Sequence, residues 1–189
     1  MQTIRIKLTS TRPMLMHSDV LSDPLNPLTQ KHKALTGKRK KTDEDYIEIA
    51  KSEWTSSLYY SPDIGIYLPS QNVEAAIREG AKLQKLGKAV IRAVEIDELE
   101  IPLQFTGPKD PEAMWNAGMY DARSVKVSTA RLTRYRPIFK SWSCEFTLKF
   151  NEMVINEAEV MKALADAGEF CGVGDYRPKF GRFHAEKIK

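Results

Sequence analysis

Strict alternation of apolar and polar residues predicts two of the strands in this chain. Ile4, Ile6 and Leu8 alternate with charged or hydroxyl-bearing residues in TIRIKLTS, and the same period of two runs through SWSCEFTLKF, residues 141–150. Successive side chains of a strand point to opposite faces, so each segment has one apolar face to bury. Both segments are therefore expected to be half-buried strands.

Capping residues predict two helices. Thr42 stands before three acidic residues and indicates a helix over about 43–57, because acids favour the first turn of a helix. Asn156 and Glu159 have the spacing of a capping box and indicate a helix that Gly168 is expected to end.

A third helix is predicted over about 71–86, where Ser70 precedes an apolar stripe and Gly87 follows it. Gly80 lies within this stripe and costs about 1 kcal/mol relative to alanine in a helix interior. We expect this glycine to allow close packing of the helix against the sheet.

The other segments are predicted to be extended or irregular. Residues 89–105 read as two strand pieces, residues from 124 onward as a long extended region, and 181–188 as a last strand. Residues 11–41 contain prolines, turn formers and clustered charges, so we expect an irregular, exposed basic insertion and no helix. This order of elements predicts one α+β domain over residues 1–189, with a mainly antiparallel sheet and helices on one face.

Composition narrows the class of protein. The chain has 189 residues, 42% hydrophobic and 29% charged, which is ordinary for a globular protein. No apolar run approaches the ~20 residues that a membrane span needs, so no membrane partner is expected and a cytoplasmic location is predicted. The two cysteines, Cys144 and Cys171, form no zinc-ligand pattern. We therefore expect no metal site and no cofactor.

Positive charge is segregated along the chain. Residues 31–41 contain six Lys or Arg and no acid, residues 123–140 again contain six and no acid, and the tail from Arg177 is mostly basic. Any one of these blocks is most simply a solvated face. Three of them without balancing acids favour a shared anionic partner, and a nucleic-acid backbone is the commonest such partner.

Two motifs stand at the ends of the chain. The first strand leads into Pro13, Met14, Leu15, Met16 and His17, and the segment GVGDYRPKFGRF, with Gly172, Gly174 and Gly181, follows the last predicted helix. Together they resemble the RAMP superfamily of CRISPR proteins, in particular the backbone subunits that coat guide RNA. The first motif matches the turn that follows the first strand in that superfamily, and the second is similar to its C-terminal glycine-rich loop, with Arg182 where the last glycine is expected. The same two features resemble uncharacterised phage and prophage proteins.

The resemblance implies a ferredoxin-like, RRM-related fold with insertions, and a non-catalytic subunit that binds single-stranded RNA or DNA. Self-association along the bound strand is implied in the same way. The basic 11–41 insertion and the basic 123–140 ribbon are the expected places of contact between neighbouring subunits.

The residues themselves indicate how a strand would be held. Cations bind phosphates, aromatic rings stack on bases, and glycines let backbone N–H groups approach phosphates closely. A period-two pattern places Lys126, Arg134 and Arg136 in one register of the ribbon, and Arg131 and Tyr135 in the other. The predicted nucleic-acid-binding residues are Lys31, Lys38, Arg39, Lys40, Lys126, Arg131, Arg134, Tyr135, Arg136, Gly172, Gly174, Tyr176, Arg177, Lys179 and Arg182.

Other functions stay open at this level. His17 follows the first strand, where RAMP endoribonucleases place a general base, and Asp19 and Asp23 lie in the loop where some RAMP subunits place a cleaving acid. A lone histidine or a loop aspartate is more often structural, so no catalytic residue is predicted. A phage-encoded single-stranded DNA-binding or recombination factor is a second alternative. A basic protein that inhibits a defence complex is a third.

Overall fold

Helices and strands alternate along the chain in a computed structural model that describes residues 1–189, apart from the side chains of Val127 and Ala130. The helices are α1 (Pro27–Thr36), α2 (Asp43–Ser56), α3 (Ser70–Lys82), α4 (Gly87–Ala93), α5 (Pro111–Asn116) and α6 (Glu157–Asp166). The strands are β1 (Gln2–Ser10), β2 (Met14–Leu15), β3 (Tyr60–Ser61), β4 (Gly65–Pro69), β5 (Val94–Ile96), β6 (Glu100–Pro102), β7 (Gln104–Phe105), β8 (Tyr120–Val127), β9 (Ala130–Phe139), β10 (Trp142–Phe150) and β11 (Phe183–Ile188). The predicted α+β class is confirmed.

The chain divides into two compact units, each made of segments that are far apart in sequence. Unit 1 consists of Met1–Met14, Tyr60–Thr106 and Phe139–Lys189, and unit 2 consists of Leu15–Tyr59 and Gly107–Ile138. Most of the predicted insertion and most of the predicted ribbon therefore lie together in unit 2.

The main sheet of unit 1 has the order β11–β1–β10–β5, with antiparallel pairing throughout. Ile6 lies opposite Phe146 and Leu8 opposite Cys144, and all four are buried on one face, as the alternation predicts. The other face carries polar residues such as Lys7 opposite Glu145. One face is thus the core side of the sheet and the other is polar.

Helices α3 and α6 pack closely in unit 1. A Cβ on Gly80 would lie 2.3 Å from the carbonyl oxygen of Ala163, so this glycine permits a helix–helix contact. The close packing expected at Gly80 is therefore present, but its partner is helix α6 and not the sheet. The start of α6 is as predicted, since the side chains of Asn156 and Glu159 each accept a hydrogen bond from the other's backbone N–H at 2.9 Å.

The helical conformation of the backbone continues past the predicted end of α6. Residues Ala167–Cys171 form a π-helical turn that ends at Gly172, where φ is +73°. Gly168 is not the cap: a Cβ there would lie 2.1 Å from the carbonyl oxygen of Phe183. Its lack of a side chain allows contact with β11.

Two predicted segments differ from the structure. The third predicted helix ends at Lys82, and 87–93 form helix α4 where a strand is predicted. Val90 and Ala93 of this helix are buried, whereas Ile91 is exposed. The β-branched residues Val90 and Ile91 therefore give a misleading strand pattern, although only Val90 contributes to the core.

The predicted absence of a helix in 11–41 is also wrong, because α1 occupies Pro27–Thr36. Asn26 caps it, accepting a hydrogen bond from the Leu28 N–H at 2.9 Å, and Pro27 takes the first helical position. Proline is favoured there because its missing N–H has no helical partner in any case. The same residues that suggested a breaker therefore start the helix.

Unit 2 combines helices α1 and α2 with the β8–β9 hairpin. Thr42 caps α2 as predicted, in a capping box with Asp45. Trp54 of α2 is fully buried, and its Nε1–H donates to the Met119 carbonyl at 2.9 Å, just before the hairpin begins. This contact fixes α2 beneath the hairpin.

Candidate nucleic-acid interface

The register of the β8–β9 hairpin decides which side chains share a face. Lys126 lies opposite Arg131, and Arg123 lies opposite Arg134, because the turn between the strands is two residues long. Directly opposed residues of an antiparallel pair are on the same face. Lys126 therefore shares a face with Arg131, and the predicted grouping of Lys126 with Arg134 and Arg136 is wrong. Opposed residues across this turn have one even and one odd number, so a single period-two count cannot run through it.

Arg136 faces the interior of unit 2. Its guanidinium is buried, and Nη1 donates to Glu53 Oε1 at 3.0 Å. Arg134 Nη1 donates to the same oxygen at 3.0 Å, and the Tyr135 N–H donates to Glu53 Oε2 at 3.3 Å. Three donors converge on one buried carboxylate. Arg136 is thus placed as a structural residue, while Arg134 stays about one-third exposed.

A cavity of about 460 Å³ lies in unit 2 between the helices and strand β9. It is the size of ordinary ligand pockets. Its wall brings together cations and rings from both predicted basic regions and from α2, together with the Glu53 carboxylate that pairs with Arg134: His32, Lys41, Tyr46, Arg131, Arg134 and Tyr135. We call this site the unit 2 cavity. The cavity brings together residues that are about one hundred positions apart in the sequence. The pattern of two basic blocks alone does not predict this contact.

His32 is a neutral partner of this cavity. Its Nδ1 lies 3.3 Å from Ser52 Oγ, and partial burial lowers the pKa of the imidazole, with the charge of Arg134 acting in the same direction and that of Glu53 opposing it. A neutral ring leaves the positive charge of the wall to Lys41, Arg131 and Arg134.

Three aromatic rings form a cluster at the base of the hairpin. The ring centroids of Trp115 and Tyr120 are 4.8 Å apart, those of Tyr120 and Tyr135 are 5.8 Å apart, and those of Trp115 and Tyr135 are 6.2 Å apart. Tyr120 is 39% exposed. Register places Tyr120 and Tyr135 on the hairpin face that carries Lys126 and Arg131. Sequence reasoning missed Trp115 and Tyr120, which it left in an unassigned connection.

The predicted cations of residues 31–41 do not line the unit 2 cavity. Lys31, on α1, lines a separate groove with Glu48, and Lys38 is paired with Asp45. Arg39 and Lys40 are exposed between α1 and α2. Lys41, which the prediction omitted, is the member of the run that reaches the unit 2 cavity.

The glycine-rich loop in unit 1 is closed by its own backbone. The Val173 N–H donates to the Gly181 carbonyl at 2.9 Å, and the Gly181 N–H donates to the Pro13 carbonyl at 2.7 Å. A Cβ on Gly181 would lie 1.7 Å from the Val173 carbonyl oxygen, and one on Gly172 would lie 2.7 Å from the Phe180 carbonyl oxygen. The space above these two glycines is filled by protein, so their predicted role in approaching phosphate is wrong. They close the loop.

The remaining residues of the loop face outward. Arg177 and Lys179 are exposed, and Tyr176 is half-buried with φ at +56°. Arg182 is partly committed to structure, because its Nε–H donates to the Pro178 carbonyl at 2.9 Å. Gly174, Tyr176 and Arg177 line an open groove of about 580 Å³ against α3, together with Arg78 and Phe170. Sequence reasoning missed Arg78 and Phe170.

In the described part of the chain, the candidate nuclease residues do not form a metal-binding cluster. Among the residues that the structure describes, no group of three or more His, Cys, Asp or Glu side chains is arranged to hold a metal ion. Asp23 Oδ1 accepts a hydrogen bond from the Leu25 N–H at 2.9 Å and thereby supports a turn. His17 is exposed, and its carbonyl accepts a hydrogen bond from the Tyr59 hydroxyl at 3.3 Å.

Among the described helices, none combines the length and the apolar character that a membrane span requires. Comparison with protein-family models found no match, and a search among curated proteins found no significant match.

Proposed function

We propose that the protein binds single-stranded nucleic acid without cleaving it, with RNA as the first ligand to test. The observation that carries this proposal is the unit 2 cavity, where Lys41, Arg131 and Arg134 converge beside Tyr46 and Tyr135. Cations on phosphates and rings on bases are the two contacts by which single strands are held. A cavity that offers both kinds of contact is better suited to a nucleotide than to an acidic protein surface.

The aromatic cluster supports single strands over duplexes. In a duplex the faces of the bases are stacked on one another, whereas an unpaired base can stack on an exposed ring such as Tyr120. Lys126 and Arg131 are exposed on the same hairpin face and are available to neighbouring phosphates. The hairpin therefore offers base and phosphate contacts side by side.

A ferredoxin-like topology of unit 1 is part of the proposal. The succession β1, α3, β5, β10, α6, β11 follows the βαββαβ pattern of that fold, and the central pair β1–β10 is flanked by β11 and β5. The polar face of this sheet is unlike that of an RRM, which stacks bases on sheet aromatics. Among the described positions it presents Arg5, Lys7 and Thr147.

The resemblance to RAMP backbone subunits extends the proposal to a subunit that coats a strand by self-association. Sedimentation with single-stranded RNA of increasing length tests this extension. One protein per added length of RNA supports coating, and one protein per RNA at every length contradicts it.

The binding experiment is a titration with single-stranded RNA, single-stranded DNA and duplex of equal length at several salt concentrations. Affinity is expected to fall steeply with salt, with a slope of about −0.7 per phosphate contacted on a single strand. Binding to none of the three at low salt contradicts the proposal. Incubation of labelled RNA with Mg²⁺ or chelator tests cleavage, and shortened products would support the endoribonuclease alternative.

A further inference from the structure

We propose a second nucleic-acid site in unit 1, where a groove beside α3 takes one base of a bound single strand and a row of cations holds the phosphates that follow. This inference rests on the proposed function. It keeps Arg177 of the third basic block and adds a surface on α3 and the segment after it, which the three basic blocks of the sequence do not include. The groove is the one lined by Arg78, Phe170, Gly174, Tyr176 and Arg177, and we call it the α3–loop groove.

The loop wall of the groove is rigid. The Tyr176 N–H donates to Asp175 Oδ1 at 2.9 Å, and the Phe180 N–H donates to the Tyr176 carbonyl at 3.2 Å. With Gly181 bonded to Pro13 at the end of the loop, the backbone on both sides of Tyr176 is fixed. A preformed wall loses little conformational freedom when it binds a ligand.

The chemistry of the groove suits a nucleotide. Phe170 is 50% exposed, which is unusual for a phenylalanine and provides a flat apolar surface beside the half-buried ring of Tyr176. Small residues, Ala75 and Gly174, leave the floor open. Arg177 is exposed at the rim, and in the part of the chain that the structure describes it pairs with no carboxylate. An open groove that combines the Phe170 ring with polar groups and has an unpaired guanidinium at its rim fits a base and its phosphate.

The carboxylates of the groove do not oppose this ligand, because they already have partners. Glu79 is bonded to Lys82 at 2.6 Å and lies 3.6 Å from Arg78, and the pKa of Glu79 is lowered chiefly by the Lys82 hydrogen bond. Asp175 holds the Tyr176 backbone. Positive charge at Arg177 is thus left for an incoming anion.

A row of cations continues from the groove. Residues 80–94 contain four Lys or Arg and no acid, a fourth basic block that the charge analysis passed over. We call Lys82, Lys85, Lys88 and Arg92 the basic edge; all four are exposed.

The basic edge adjoins the groove. Lys82 follows Arg78 by one turn of α3, about 6 Å along the axis. Burial and the charge of Glu79 raise the pKa of the Cys171 thiol, whereas Arg177 and Lys82 both lower it, so both cations lie near this wall. Gly87 packs on Lys82, since a Cβ there would lie 2.9 Å from Lys82 Cγ, and this contact places the start of α4 beside α3.

The experiment uses the full chain and a single-stranded RNA with 4-thiouridine at defined positions. Photo-cross-linking followed by peptide mass spectrometry is expected to label a peptide that contains Phe170 or Tyr176. Binding of the same RNA is then measured for Lys85→Glu with Lys88→Glu. The control is Lys187→Glu with Lys189→Glu, which makes the same charge change at the end of β11. We expect a loss of at least about tenfold in affinity relative to the control.

The outcomes separate this inference from the function on which it rests. Wild-type binding with cross-links confined to unit 2, and equal affinity of the two double variants, would overturn the second site and leave the proposed function standing. No wild-type binding at low salt would overturn both. Binding to vesicles of anionic lipid in the absence of RNA binding, lost in Lys85→Glu with Lys88→Glu, would identify the basic edge as a membrane-surface contact instead.

Discussion

Arg136 of β9 and Glu53 of α2 form an ion pair in the interior of unit 2, with 3.0 Å between Nη1 and Oε1. Removing one partner of such a pair leaves an uncompensated buried charge, which costs about 3–5 kcal/mol. Glu53→Gln is therefore expected to lower the free energy of unfolding by several kcal/mol in a urea titration. Arg134→Ala is the matched control, because Arg134 bonds the same carboxylate from a partly exposed position and is expected to cost about 1 kcal/mol. Equal losses in the two variants would contradict the structural role of Arg136.

Binding by the unit 2 cavity is tested with Lys41→Ala combined with Arg131→Ala. Neither side chain belongs to the buried core, so the melting temperature is expected to stay within a few degrees of wild type. If each side chain contacts one phosphate, the slope of log affinity against log salt falls by about 1.4 in magnitude. An unchanged slope, measured by fluorescence anisotropy with a single-stranded oligonucleotide, argues that the strand bypasses this cavity.

Stacking at the hairpin is tested with Tyr120→Ala against Tyr120→Phe. Loss of one stacked base costs about 1–3 kcal/mol, which is a factor of about 5 to 150 in affinity. The phenylalanine variant keeps the ring and is expected to bind nearly as wild type. If both variants bind alike, Tyr120 does not stack on a base.

The loop-closing role of glycine is tested with Gly181→Ala. At φ +72° and with the Val173 carbonyl oxygen 1.7 Å from the added Cβ, this change combines backbone strain with a backbone clash. We expect a loss of stability of more than 2 kcal/mol. Gly65→Ala is the control: φ is +81° there but nothing lies within 4 Å of the added Cβ, so only the conformational cost of about 1 kcal/mol is expected. Similar melting temperatures for the two variants would show that the loop can open to make room.

The stability of unit 2 is expected to depend on His32. Burial lowers the pKa of this imidazole in the folded state, so near that pKa the unfolded state binds more protons. The stability that depends on a neutral His32 ring is therefore fully present above the pKa of the unfolded state. It is lost as the pH falls through the pKa of the folded state. Between about pH 7.5 and about pH 5, wild type is therefore expected to lose more free energy of unfolding than His32→Gln. Parallel pH profiles for the two proteins would exclude His32 as the titrating group.

Local signals in the sequence are sufficient for the elements that depend on local physics. The alternation in β1 and β10 and the capping pairs at Thr42 and Asn156 each predict what the structure has, because strand faces and caps are set within a few residues. Proline at the start of α1 and β-branched residues in α4 misled the prediction, since both residue types have a second, position-dependent meaning.

The candidate sites are less predictable, because they depend on tertiary contacts. The residues of the glycine-rich loop were found, but the occupation of the space above Gly172 and Gly181 depends on backbone from the other end of the loop. The joining of Lys41 to Arg131 depends on the packing of α2 on β9. Arg136 looks like its neighbours in sequence, and only its burial beside Glu53 distinguishes it. The basic run without acids from 80 to 94, in contrast, is visible in the sequence itself.

Strand β1 lies between β10 and β11, and both partners begin more than 130 residues later in the chain. During synthesis this first strand has no sheet neighbour until most of the polypeptide has been made. Contacts between residues so far apart in the sequence form slowly, because the chain entropy of closing the loop is lost before the pairing compensates for it. Unit 2 has its two segments complete by Ile138 and can assemble earlier. Assembly of the central sheet is therefore expected to be a late event on the ribosome, with the exposed apolar face of β1 protected by other means until then.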